Sequence, residues 1–314
     1  IDGSYADGRH PDKVTFTPEL GLDLCRRDFT VNAMAYSEKK GIIDLFGGES
    51  DLENGIIRCV GSPDERFNED GLRILRALRF ASVLDFELDA DCADSVRRLK
   101  GLLGKISRER IYTETTKLLL GKGARRILST FPEVISFIFP ALTEEMICRA
   151  AALVERCPDA EMRYAVLFSE LDAKEEERMI SSMKPSRAEK NAVLRYSEYE
   201  NYRNYLDGEY EVRRLISETD DGFVLSLTDM QLSRGVITDE EYAAVREMIS
   251  EIIEKNLPRK LSDLAVEGKT LMSIGYAGAD IGHELTRLLD DVMRGSCENT
   301  ARELTEKARR DRTQ

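Results

Sequence analysis

From Pro63 to the end of the chain, apolar side chains recur at helical spacing and the pattern never changes to another period. The spacing predicts helices over 66–83, 90–103, 108–120, 124–131, 143–155, 162–171, 175–183 and 187–202, then 210–217, 227–234, 239–255, 279–294 and 299–309. Asp239 and Asn299 read as N-caps, Gly121 and Gly295 as helix stops. Ahead of Pro63 the chain is mixed. Residues 1–12 read as loop, 13–18 as a short strand with Val14 and Phe16 on one face, and 19–27 as a helical turn. Strands follow over 42–46 and 56–60, separated by the turn at Gly47-Gly48, and the β content is expected to end there. The expected fold class is mainly α: a small mixed α/β piece, then a helical region too long for one compact bundle, hence several lobes.

Composition narrows the chemistry. The net charge is −13, so contacts to nucleic acid must come from local basic clusters on an acidic background. Six Cys without a CxxC pair argue for reduced thiols, against a disulfide framework and against zinc. Two His exclude a His-rich metal centre, and no apolar run is long enough for a membrane span. His10 reads as a surface loop residue and His283 as a packing or capping residue.

Three stretches can carry chemistry. In Glu69–Phe80, read as one helix at about 100° per residue, Arg66, Glu69, Asp70, Arg73 and Arg76 fall within roughly 120° of each other, with Ala77 among them. Leu72, Ile74, Leu75 and Leu78 take the packing face. Asp70 and Arg73 become neighbours three apart. Taken alone they make an ion pair on a solvated face. They also set an acceptor pair beside a donor fork, which can meet the edge of a base, with Arg76 and Arg79 further along for phosphates. In Arg26-Arg27-Asp28-Phe29, two guanidinium forks can clamp a polyphosphate, with Asp28 or Asn32 left for a ribose hydroxyl; the plainer reading is a charged turn. In Arg108–Glu114, Glu109 and Arg110 brace neighbouring helices more readily than they touch a ligand. Asp44–Gly48, followed by Asp51-Leu52, is turn and cap chemistry.

These stretches also occur in a recognisable order. RRDFTVNAMAY, DLFGG…DLENGIIRCVG, RFNEDGLRILRALRF and ERIYTE together resemble the bacterial class II tRNA nucleotidyltransferases, the CCA-adding enzymes, and their relatives the bacterial poly(A) polymerases. Residues 264–271, Ile274-Gly275, Ile281-Gly282 and Asn299 are similar to the tail of the short CCA-adding type. The resemblance implies the C-terminal part of a small mixed α/β nucleotidyltransferase head over 1–60, then helical neck (61–140), body (141–205) and tRNA-binding tail (206–314) domains. It implies a cytoplasmic enzyme that adds C, C and A to the tRNA 3′ end from CTP and ATP, the protein itself choosing the base. A poly(A) polymerase, a CC- or A-adding relative and a non-catalytic RNA-binding fragment are the alternatives. By the same resemblance Asp70 and Arg73 pair with the base, Arg27, Arg76 and Arg79 contact the nucleotide, and Asp28 and Asn32 stand beside the sugar. The family's DxD carboxylates, which hold two Mg²⁺ ions, are expected upstream of Ile1. This chain is therefore expected to carry no catalytic or metal-binding residue and to be inactive alone. The implied partners are tRNA and nucleoside triphosphates, with no membrane and no protein partner.

Overall fold

The computed structural model describes residues 19–312; the expected loop over 1–12 with His10 and the expected strand over 13–18 lie outside them. The chain forms two compact units, Ile1–Ser197 and Glu198–Gln314.

The first unit opens with α1 (Leu20–Cys25) and an antiparallel hairpin, β1 (Met34–Ser37) and β2 (Gly41–Asp44), in the register Met34↔Asp44 to Ser37↔Gly41. β1 was not among the expected strands: it is half-exposed on both faces, so it leaves no alternating signature. Asp44 then turns the chain. Its carboxylate accepts from the Phe46 amide (3.1 Å) and the Glu49 amide (2.9 Å), fixing the start of α2 (Gly48–Asn54). Gly48 has to be glycine, because a Cβ there would lie 2.3 Å from the Thr30 carbonyl oxygen.

The strand expected over 56–60 is shorter. β3 (Ile56–Ile57) pairs in parallel with β4 (Glu87–Leu88), so the β content does not end at residue 60. Residues 58–60 pin the segment 28–30 through Thr30 N–H to Arg58 O (2.9 Å), Val60 N–H to Asp28 O (3.1 Å) and the Phe29–Cys59 bridge.

The single helix expected over 66–83 is two, α3 (Pro63–Glu69) and α4 (Leu72–Leu84). Between them Asp70 is extended, at φ −144° and ψ 106°. The break has two local causes. Asp70 acts as a cap, its Oδ1 accepting from the Leu72 amide at 3.0 Å. Gly71 allows Leu102 to approach so closely that a Cβ would meet Leu102 Cβ at 2.9 Å. Asp70 therefore does not continue the helical face of Arg73 and Arg76. Ala77 is fully buried rather than part of an open polar face.

α4 is the spine of this unit. Leu72, Ile74, Leu75, Leu78 and Ala81 are buried, and the helix packs along α6 (Arg108–Leu119), whose Ile111, Leu118 and Leu119 are also buried. α5 (Ala90–Leu99) packs on α3. Beyond α6, α7 (Ala124–Thr130), α8 (Pro132–Ile138), α9 (Glu144–Val154) and α10 (Ala160–Phe168) pack on one another, and α11 (Ala173–Ser182) and α12 (Arg187–Tyr199) follow. Tyr112 of α6 stacks on Tyr164, which joins Phe139 and Phe168 in an aromatic cluster.

In the second unit α13 (Glu209–Glu218), α14 (Asp221–Arg234) and α15 (Asp239–Glu254) pack together. A further core gathers Leu264, Leu271, Leu288, Leu289 and Leu304 from α16 (Gly268–Ser273), α17 (Ala279–Met293), α18 (Ala301–Arg312) and the segment before them. The N-cap of α15 is Thr238, in a capping box with Glu241, rather than Asp239. At α18 the capping bond falls to Thr300, whose Oγ1 accepts from the Glu303 amide (3.3 Å), rather than to Asn299, whose side-chain amide bridges Asp263 O (2.7 Å) and the Ala265 amide (2.8 Å). His283 is exposed on α17, so it is not a packing residue.

Candidate nucleotide-binding site

An open hollow of about 620 Å³ lies on the first unit, lined by Arg26, Arg27, Asp28, Asn32, Asp70, Arg73, Arg76 and Phe80. Six of the seven residues singled out from sequence meet there. The seventh, Arg79, is not a lining residue. It ion-pairs with Glu114 at 2.7 Å and stacks on the Phe80 ring, 3.7 Å from its centroid. Burial pulls the Arg79 guanidinium below its usual range, although Glu114 offsets part of the effect.

The base side of the hollow is organised by the helix break. Asp70 and Arg73 do not pair with each other. Asp70 Oδ2 accepts from Arg110 Nη2 at 2.8 Å, while Arg73 Nη1 donates to Glu69 Oε2 at 2.5 Å and to Arg66 O at 3.3 Å. Arg73 Nη2 donates to Arg26 O at 3.2 Å and Arg66 Nη1 to Cys25 O at 3.4 Å, so α3 and α4 hold the end of α1 in place. Arg110 thus has the bracing role expected of it.

The opposite side is built on residues 26–32. Asp28 is buried, and its Oδ2 accepts twice from Arg76, Nε at 2.8 Å and Nη2 at 2.6 Å. Its Oδ1 accepts from the Phe29 amide (3.0 Å) and from Asn32 Nδ2 (3.2 Å). Arg26 and Arg27 are half-exposed and share Asp23, whose carboxyl they hold below the usual carboxylate range. Phe80 forms the floor: its ring lies 5.4 Å from Arg76 Cζ and edge-on to Phe29 at 5.6 Å.

The lining sets four guanidinium groups against two carboxylates. On a chain of net charge −13 this is a local concentration of positive charge with specific acceptors, suited to an anionic ligand that carries hydrogen-bonding edges. Sequence reasoning missed Phe80 as the floor and Glu69 as the brace of Arg73. Glu69 was legible in principle, since it stands four residues before Arg73.

Residues 1–58 match the family described as Poly A polymerase head domain, and residues 85–146 the family described as Probable RNA and SrmB-binding site of polymerase A. The CCA-adding enzyme of Ligilactobacillus salivarius is 52% identical over 130 residues, covering 41% of this chain; the match spans only 32% of that relative's length. The CCA-adding enzyme of Enterococcus faecalis is 32% identical over 320 residues, covering 99% of this chain and 77% of that protein. The chain belongs to the CCA-adding enzyme family. Among solved structures, the Bacillus stearothermophilus CCA-adding enzyme in complex with CTP matches with a TM-score of 0.81 at 27% identity, over 99% of this chain and 78% of that one. The mainly helical fold with small sheets is the one this CCA-adding family shares.

The metal that the CCA-adding family implies finds no fit among the described residues. They include no group of three His, Cys, Asp or Glu placed to hold an ion. Of the two carboxylates of the hollow, Asp28 is taken up by guanidinium and amide donors, and Asp70 alone, already bonded to Arg110 and the Leu72 amide, is too few to hold an ion. No described helix is long and apolar enough to cross a membrane.

Proposed function

We propose that this chain acts in adding C, C and A to the 3′ end of tRNA in the cytoplasm, using CTP and ATP, and that the Arg27–Arg76 hollow selects the nucleotide. The observation that carries the proposal is the presence of Asp70 and Arg73 in one hollow with Arg27, Asn32 and Arg76, each braced from outside. Asp70 accepts one bond on each oxygen and so keeps an acceptor site on each. Arg73 keeps its Nε–H and one Nη2 hydrogen, which no described residue engages. An acceptor beside a donor suits cytosine and adenine, which both present an amino group next to an unprotonated ring nitrogen. Guanine and uracil present a carbonyl next to a ring N–H, which reverses both contacts.

In this reading Arg27 and Arg76 face the phosphates, Asn32 and Asp28 form the sugar side, and Arg79 supports the floor through Phe80. Residues 61–140 select the nucleotide and 206–314 bind tRNA. The described residues are assigned binding and selection, and none is assigned the activation of the primer hydroxyl.

Equilibrium binding of the four ribonucleoside triphosphates tests the proposal. CTP and ATP are expected to bind roughly tenfold or more tightly than GTP and UTP. Binding of ATP alone would favour a poly(A) polymerase. Equal binding of all four, or of none, would overturn the selective role.

A further inference from the structure

The carboxylate of Asp28 has no capacity left for a ligand. An ionised carboxylate accepts about four hydrogen bonds, and Asp28 already receives four: Arg76 Nε and Nη2 on one oxygen, Phe29 N and Asn32 Nδ2 on the other. Its residue exposure is 8%, and the flanking backbone is fixed by the 58–60 segment. A sugar hydroxyl could reach Asp28 only by displacing one of these donors.

The same four bonds determine what its neighbours present. Arg76 spends Nε and Nη2 on Asp28, and no described residue engages its Nη1. Phe80 holds the guanidinium at 5.4 Å, and Phe80 is packed by Phe29, whose amide also reaches Asp28. The plane and direction of Arg76 are therefore set from two sides. Asn32 is oriented likewise. Its amide nitrogen must face the carboxylate, because an amide oxygen there would oppose it. Its Oδ1, engaged by no described residue, is thereby left as an acceptor on the wall of the hollow.

We infer that Asp28 is a positioning residue that never touches the nucleotide: it aims Arg76 Nη1 at the phosphates and turns the Asn32 Oδ1 toward a sugar hydroxyl. The inference rests on the nucleotide-selecting reading above and refines which of the two sugar-side residues makes the contact.

The test is a double-mutant cycle read as a ratio. The affinities for CTP and CMP are measured in the wild-type chain and in Asp28→Asn, Arg76→Ala and the double variant. Asn at position 28 removes the charge and turns an NH₂ toward one of the two sets of donors, so either Arg76 or Asn32 loses its acceptor and the charge-assisted hold on Arg76 is weakened. Asp28→Asn is expected to lower the CTP:CMP affinity ratio roughly tenfold or more, the scale of a charge-assisted bond. Arg76→Ala is expected to lower it similarly, and the double variant no further. An unchanged ratio in Asp28→Asn, or a double variant equal to the product of the two singles, overturns the inference. If Asp28→Asn does not fold, the wild-type chain still decides. On titration with CTP, the Arg76 Nε–H resonance is expected to persist and the Asn32 side-chain amide signals to shift. Loss of the Arg76 Nε–H signal would mean that Asp28 exchanges Arg76 for the sugar. A wild-type chain that binds no CTP overturns the underlying reading; CTP binding with an unchanged ratio overturns this inference alone.

Discussion

Arg110 on α6 donates to Asp70 across the break between α3 and α4, Nη2 to Oδ2 at 2.8 Å. Both side chains are less than a third exposed, so the bond works in a partly desolvated setting. It ties the extended residue between α3 and α4 to the neighbouring helix, while the Leu72 amide fixes the other oxygen. Asp70 thus presents its remaining acceptor sites in a fixed direction without help from Arg73.

Arg110→Ala is therefore expected to weaken CTP binding although Arg110 lines no part of the hollow. A loss of roughly tenfold is expected, with helix content retained in circular dichroism. CTP affinity equal to wild type would show that Asp70 keeps its direction without the brace.

Asp70 and Arg73 are expected to act as the selector together. The Asp70→Ala, Arg73→Ala double variant should bind CTP, ATP, GTP and UTP with similar affinities, because both complementary groups are gone while Arg27 and Arg76 remain for the phosphates. The fold should persist, since both residues are only partly buried. A variant that still prefers CTP and ATP would move base selection elsewhere.

The break itself has an energetic signature. Gly71→Ala places a Cβ against Leu102, at 2.9 Å from its Cβ and 3.1 Å from its carbonyl oxygen. Relief requires movement of backbone, so a loss of about 1–3 kcal/mol is expected in urea unfolding. A neutral or stabilising result would show that the 100–105 segment can move away from Gly71 at no cost.

How much of this was legible in the sequence follows from the range of each signal. The packing faces of α4 and α6 were legible, because Leu75, Leu78, Ile111 and Leu118 repeat at the helical period and all are buried. The break at Asp70 was not. One extended residue barely disturbs the apolar phase, and its causes, Leu102 and the cap, are respectively remote in sequence and local to side-chain geometry. β4 was missed for a similar reason: two residues cannot show alternation, and its partner β3 lies thirty-one residues away in register, Ile56 with Glu87. The gathering of Arg27 and Asn32 with Asp70 and Arg73 was implied by motif order, never by spacing. Of the ion pairs that hold the hollow, Asp28 with Arg76 spans forty-eight residues and came only with the structure, whereas Glu69 with Arg73 was open to reading from its four-residue spacing.

Alkaline pH should loosen the first unit through Tyr112. Burial, reinforced by Glu189 and Glu161, pushes its hydroxyl from 10.0 up to about 12. The folded value is the higher one, so its contribution is complete below pH 10 and is lost as pH rises toward about 12. Tyr112→Phe keeps the ring that stacks on Tyr164 and removes the titration. The variant should lose less stability than wild type across that interval, measured as urea midpoints. Parallel losses in the two proteins would place the alkaline sensitivity elsewhere.

Gln231 offers a separate handle on the second unit. It is fully buried on α14; the two hydrogens of its Nε2 serve Tyr202 O (2.8 Å), Tyr199 O (3.1 Å) and Glu200 O (3.1 Å), one of them shared, and its Oε1 accepts from Tyr205. One amide thus satisfies the carbonyls of the turn that leads into α13, together with a buried hydroxyl. Gln231→Leu keeps the volume and removes every one of those bonds. Buried polar groups left without partners cost about 1–3 kcal/mol each, so the second unit should unfold at lower urea. All residues lining the hollow belong to the first unit. CTP affinity should therefore match wild type under conditions where both proteins are folded, while tRNA affinity falls as the second unit melts. A stability equal to wild type would show that water replaces the amide at no cost; a loss of CTP binding in the folded variant would show that the hollow depends on the second unit.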